Sequence, residues 1–333
     1  MGFVSPPLSV FDRVWRVTRG LISLLLVSVP CIMGIPLLAI LYITLLPLNP
    51  TRWAQVTTAL SSWYYMFWII VIEYIAKVDV VITGDVLPYE ESALLISNHC
   101  STMDPFFMFT IAARRFRIGN VKFFAKKVIR TYFPFGPAMA LVDCIFIDRD
   151  WTTDSSKIQA AFHSLNSRPT VPVWLMSFLE GHRKTPETLS ASAEFARSRS
   201  LPILQETLYP RVKGLYATFA GARSLLDAVY DITIAFPNGP PTLFEFFSGG
   251  PGAQVHLHVV RHSMADIPFD CEENLQNWIY KIWEQKEHRL LHAKKYRQFS
   301  SVRNLEPMRL FEFWYKNISH GLMDERLIKD SRD

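Results

Sequence analysis

The sequence predicts an α/β domain with a mostly parallel central sheet flanked by helices, preceded by membrane helices and followed by a helical C-terminal segment. Three observations carry that expectation. Residues 20–51 contain no charged side chain. From residue 78 to residue 260, short apolar runs alternate with longer mixed stretches, the pattern of strands joined by helices. From Cys271 onward, charged residues interleave with Leu275, Trp278, Ile279, Ile282 and Trp283, which reads as helix. The expected domains are therefore a membrane anchor at 1–77, an α/β domain at 78–265 and a helical extension at 266–333.

The anchor comes first. Residues 21–48 are mostly Leu, Ile, Val, Ala and Pro, more than the roughly 20 residues that cross a bilayer. The run is too long for the h-region of a cleaved signal peptide. Pro30 and Pro36 are tolerable kinks in a membrane helix. Arg13, Arg16 and Arg19 precede the run and mark that end as cytoplasmic. A second apolar stretch, 54–76, contains Glu73 and is rich in aromatic residues. It is read as the second arm of a hairpin or re-entrant pair, or as an interfacial helix with Trp53, Trp63, Tyr64, Tyr65 and Trp68 at headgroup depth.

Strands are expected at 78–82, 93–97, 122–125, 144–147, 171–178, 201–204, 230–236 and 255–260, and helices at 105–115, 153–165 and 190–199. Residues 237–241 and 249–252 are Gly/Pro turns, and neither leads into the Lys-Ser/Thr of a phosphate loop. A basic-aromatic stretch at 292–316 reads as a solvated helical face.

Composition narrows the function classes. Of 333 residues, half are hydrophobic and 14% aromatic, which excludes a disordered chain. Net charge is +5, sequence pI about 9.0 and mean hydropathy +0.13, as for a globular domain with a short anchor and an anionic partner. No nucleic-acid motif is present, so membrane surface and phosphate ligands are the better partners. Cys31, Cys100, Cys144 and Cys271 form no C-x-x-C pair, so neither zinc nor a redox dithiol is indicated. His256 and His258 alternate on an expected strand and read as packed strand residues rather than metal ligands.

The chemistry centres on Asn98-His99-Cys100-Ser101-Thr102-Met103-Asp104-Pro105, where a strand ends and a helix begins. His99 and Asp104 are five residues apart, about 500° around one helix, so they meet only if His99 lies in the loop and Asp104 in the first turn. A carboxylate so placed holds one imidazole nitrogen and leaves the other free as a base. The bland alternative is a helix start capped by Ser101 or Thr102. Three further segments end strands in polar residues: Phe146-Ile147-Asp148-Arg149; Phe178-Leu179-Glu180-Gly181-His182-Arg183; and Leu208-Tyr209-Pro210. Arginine at a strand end suits a phosphate through its bidentate fork.

In order, Asn98-His99-X4-Asp104, Phe146-Ile147-X-Arg149, Phe178-X-Glu180-Gly181-X-Arg183 and Leu208-X-Pro210 resemble the four motifs of the glycerolipid acyltransferases. That family includes 1-acylglycerol-3-phosphate, lysophosphatidylinositol and lysocardiolipin acyltransferases. The resemblance spans about residues 94–215, and residues 229–234 also look like the eukaryotic members. Where the family usually has Phe-Pro-Glu-Gly-Thr-Arg, this chain has Leu179 for Pro and His182 for Thr; His182 is expected to fill space.

The resemblance implies an acyl-CoA-dependent transfer to a lysophospholipid hydroxyl at a membrane, with the endoplasmic reticulum as the default compartment. His99 would be the base and Asp104 its orienting partner, with backbone N–H groups near the following helix start as oxyanion donors. Arg149 and Arg183 would hold the acceptor phosphate, Glu180 would shape that pocket, and Asn98, Gly181 and Pro210 would complete it. Lys126 is a weaker phosphate candidate. Neither a metal nor a bound cofactor is called for; acyl-CoA is a co-substrate, and no obligate protein partner is inferred. Three alternatives stay open: an acyl-enzyme through Cys100 or Ser101, although no G-x-S-x-G elbow is present; a CoA-independent transacylase; and a non-catalytic membrane lipid-binding protein.

Overall fold

The structure, a computed structural model, describes residues 9–148, 151–166, 172–249 and 254–299. The strands are β1 (Asp79–Gly84), β2 (Ala93–Ser97), β3 (Val121–Lys126), β4 (Ile145–Ile147), β5 (Trp174–Ser177), β6 (Ala228–Ala235) and β7 (Gln254–Ser263). The helices are α1 (Val10–Leu48), α2 (Pro50–Ile70), α3 (Asp104–Arg114), α4 (Phe135–Leu141), α5 (Trp151–Asn166), α6 (Pro186–Ser198), α7 (Val212–Ala222), α8 (Leu243–Ser248) and α9 (Glu272–Tyr296).

The strands form one sheet in the order β1-β7-β6-β2-β5-β3-β4. β6, β2, β5, β3 and β4 are mutually parallel. β7 runs antiparallel to β6 and pairs in parallel with β1, so these two strands run the other way. Every residue of β2 and β6 is buried, as both-face burial of a central strand requires. Alternation along β2 divides the core: Ala93 and Leu95 join the cluster that includes α1, α2, α3 and α8. Leu94 and Ile96 join the cluster with α5, α6, α7 and α9. The result is three layers, with α1 and α9 on opposite faces of the sheet.

One expected strand is absent. Residues 201–204 are irregular. Pro202 removes a ladder donor, and its carbonyl accepts instead from the Tyr209 hydroxyl at 2.7 Å. Helices α4, α7 and α8 lie outside the stretches expected to be helical.

The two N-terminal apolar stretches form an antiparallel helical hairpin. Tyr42 meets Trp53 edge to face, and the Tyr64 hydroxyl donates to the Val27 carbonyl at 2.9 Å. Among the described residues, α1 alone is long and apolar enough to cross a membrane. The second stretch is built into the protein. Trp53 and Trp68 are buried, Trp68 stacks on Phe106 at 4.3 Å, and Glu73 is buried against Arg114 at 3.2 Å. The interfacial placement of Trp53 and Trp68 is thus corrected: their surroundings are protein, not headgroups. Trp63 is exposed.

Candidate active site

The five parallel strands deliver their C-terminal ends to one edge of the sheet. After β2 the chain enters α3 on one face; after β5, its neighbour, it enters α6 and α7 on the other. Divergent connections open a crevice between adjacent strands, the topological switch point where α/β folds bind ligands. His99 leaves β2 and Phe178 leaves β5 at that point, and their rings stack with centroids 4.2 Å apart.

His99 lies in the loop and Asp104 opens α3, as their spacing requires. The imidazole Nδ1 is 2.8 Å from Asp104 Oδ2. The same oxygen accepts from the backbone N–H of Cys100 at 2.7 Å and of Ser101 at 2.9 Å. Asp104 is fully buried while 18% of the His99 side chain is exposed, so the pair has a fixed inner member and a reachable outer one. Burial pushes the Asp104 carboxyl up, opposed by His99 and the two N–H groups. With Nδ1 held, Nε2 is the nitrogen left to meet a substrate proton.

The capping expectation is not met. Met103 is the N-cap and makes no side-chain cap bond. The Ser101 hydroxyl accepts from Met103 N at 3.1 Å and donates to the Pro241 carbonyl at 3.1 Å. The oxyanion expectation also narrows, because the amides of Cys100 and Ser101 already donate to Asp104. Burial, with Asp104 second, raises the Cys100 thiol well above its ordinary range. Neither side chain is poised as a nucleophile.

The other expected site residues divide into two groups. Asn98 is engaged internally: its amide donates to the Ile234 carbonyl at 2.9 Å and accepts from Ile234 N at 2.8 Å, bonding the end of β2 to β6. Glu180 is buried, with Oε1 accepting from Trp283 Nε1 at 3.3 Å and Oε2 from His99 N at 3.4 Å. Burial pushes its carboxyl up to about 8 against these donors. Glu180 supports the site from below rather than lining it. Pro210 is buried too, in a segment tied down by Arg211 N donating to the Leu179 carbonyl at 2.8 Å.

Gly181 and Arg183 face outward. Gly181 has φ +73°, a left-handed conformation that favours glycine; an added Cβ would meet only the flexible end of the Arg211 side chain. Arg183 is exposed and donates to the Thr102 hydroxyl at 2.7 Å, which puts a guanidinium on the His99 loop. His182 does not fill space: it is exposed, with Nδ1 3.2 Å from Arg211 NH2. Lys126 is exposed at the end of β3, on the same sheet edge. Arg149 lies outside the described residues.

Sequence reasoning missed what α9 does here. Lys286 is buried, with Nζ bonded to Asp231 of β6 and to the Ile232 carbonyl. Glu287 accepts from the N–H groups of Gln205, Glu206 and Thr207 at 2.6 to 3.0 Å, holding the loop before Pro210. A signal was present: Lys286 falls on the apolar stripe Leu275, Ile279, Ile282, Trp283, Leu290, where an unpaired lysine would be costly.

The chain is similar to known proteins over most of its length. Residues 79–236 match the Acyltransferase family and residues 245–314 the Acyltransferase C-terminus family. Over 277 residues the chain is 30% identical to the probable 1-acyl-sn-glycerol-3-phosphate acyltransferase 5 of Arabidopsis thaliana, spanning 83% of this chain and 73% of that one. Over 276 residues it is 30% identical to lysocardiolipin acyltransferase 1 of Danio rerio, spanning 82% and 70%. The crystal structure of the 1-acyl-sn-glycerophosphate acyltransferase PlsC from Thermotoga maritima aligns at a TM-score of 0.44 and 14% identity, covering 80% of this chain and 96% of that one. The chain belongs to the glycerolipid acyltransferase family, and it is an acyltransferase enzyme.

Proposed function

We propose that this protein transfers a fatty acyl group from acyl-CoA to the free hydroxyl of a lysophospholipid in phospholipid biosynthesis or remodelling. The observation that carries the reading is the His99–Asp104 pair, 2.8 Å apart with Asp104 buried, at the crevice between β2 and β5. His99 Nε2 takes the proton of the acceptor hydroxyl as its oxygen attacks the thioester carbonyl. Asp104 stabilises the resulting imidazolium. The tetrahedral intermediate collapses, the carbon–sulfur bond breaks, and the CoA sulfur leaves with the proton that His99 returns.

Arg183 and Arg149 are the proposed phosphate ligands, with Lys126, at the end of β3, as a weaker candidate. The two named relatives act on lysophospholipids that offer a phosphate and a free hydroxyl, which supports that class without choosing a headgroup. α1 supports a membrane location, and the endoplasmic reticulum is the membrane we propose.

The test is acyl transfer by the purified full chain in liposomes, with labelled oleoyl-CoA and a panel of lysophospholipids. His99→Ala should lower kcat by about 10²–10⁴-fold in protein that remains folded. Product formed only from a phospholipid donor, without CoA, would replace this reading with transacylation. Lipid binding that survives His99→Ala, with no transfer to any acceptor, would replace it with a non-catalytic role.

A further inference from the structure

Two contacts, made by residues distant in sequence, hold the backbone of His99, and two more stand behind one of them. Its N–H donates to Glu180 Oε2 at 3.4 Å, and its carbonyl accepts from Lys184 N at 2.8 Å. The other Glu180 oxygen accepts from the Trp283 indole at 3.3 Å. The Lys286 ammonium lies 5.0 Å from the Trp283 ring and is itself fixed on Asp231. Trp283, Lys286 and Glu287 are spaced i, i+3 and i+4, so they share one helix face. That face grips Glu180 after β5, the loop at 205–207, and β6.

We infer that Trp283 is a positioning residue for His99: its indole N–H fixes the buried Glu180 carboxyl, which in turn fixes the His99 backbone at the mouth of the crevice. This inference rests on the reading of His99 as the base. It assigns to the C-terminal helix a part in setting the geometry of the reaction. It also makes Glu180 a link inside the protein rather than a ligand of the acceptor. Glu180 Oε1 meets Trp283 and Oε2 meets His99, and the backbone of Leu208 also donates to the carboxylate; all three lie inside the fold. Trp283→Phe keeps an aromatic ring there and deletes the donor, but the ring is smaller; Glu180→Gln, near-isosteric, tests the same link without opening a cavity.

The experiment compares wild type, Trp283→Phe, Glu180→Gln and the double variant as purified full-length protein. It reads kcat and KM for the lysophospholipid, together with the titration of the His99 imidazole by histidine ¹⁵N NMR, the resonance being assigned with His99→Ala. Trp283→Phe should lower kcat by about 10-fold, since small misplacements of a reacting group cost up to 10²-fold. KM should stay within about twofold, and the His99 titration should move. The double variant should be no worse than Glu180→Gln alone, because the two residues act in series. Additive losses in kcat would overturn the inference. So would a raised KM with unchanged kcat in Glu180→Gln, the mark of a substrate ligand, and that variant alone decides if Trp283→Phe does not fold. If wild type transfers no acyl group to any acceptor, the NMR arm still decides: a shifted His99 titration supports the coupling, and an unmoved one removes it.

Discussion

Helices α1 and α9 lie on opposite faces of one sheet and invert each other's chemistry. α1 turns Phe11, Leu25, Met33 and Ile43 outward and buries Gly20, Ser23, Val27 and Cys31 against the domain. α9 turns charge outward and buries Leu275, Ile279 and Trp283 together with Lys286 and Glu287. An apolar outer surface of that length costs little only where the medium is apolar too. A buried ammonium and carboxylate persist only where paired. The outside of α1 therefore speaks to lipid, while the inside of α9 speaks to geometry: its polar groups are fastened to β6, to Glu180 and to the loop before Pro210.

The sharpest way to break the comparison is to remove the buried charge on α9. Lys286→Met keeps the stem but leaves Asp231 buried with only Arg289, at 3.0 Å, to balance it. Breaking a buried pair on one side costs about 3–5 kcal/mol, read from denaturant unfolding in detergent. A loss below about 1 kcal/mol would mean that α9 is held by its apolar stripe alone, and its polar face would lose the structural role given to it here.

A smaller effect follows from Glu180, beneath the site. Its carboxyl sits at about 8 in the folded protein against an ordinary value of 4.5. Between those two values folding takes up a proton that the unfolded chain has released. The contribution of Glu180 is thus most favourable below about pH 4.5, declines as pH rises towards 8, and is flat above. Glu180→Gln cannot titrate, so its melting temperature should gain on wild type as pH is raised from 5 to 8. A difference between the two that does not change with pH would place Glu180 in water.

How far the fold was legible follows from the same physics. The parallel strands were readable because strands buried on both faces are short, continuous apolar runs; the stretch at 201–204 imitated one, but Pro202 spoils the ladder and its carbonyl takes the Tyr209 hydroxyl instead. The His99–Asp104 pair was readable because both partners lie within one strand–loop–helix passage. The bond from Asn98 to β6 was not readable, because its partner, Ile234, is 136 residues away. Trp283 escaped for the same reason, standing 103 residues from Glu180. The apolar stretch at 54–76 looked like membrane because tryptophan and phenylalanine serve a core and a bilayer equally well. Its Glu73, whose partner Arg114 lies in α3, was the residue that told them apart.

The smallest expected effect tests the outer face of α1. Leu25 is 60% exposed, so Leu25→Ala removes little packing within the protein and should change unfolding in detergent by no more than about 0.5 kcal/mol. The same substitution in a protein core costs about 2–5 kcal/mol. A loss of that size would mean that the outer face is packed against protein, such as a second copy of the chain. Sedimentation of the wild type in the same detergent would then show an oligomer. A near-zero change, beside the large one at Lys286, leaves the two helices as described: one fitted to its surroundings by its outer face, the other fitted to the site by its inner one.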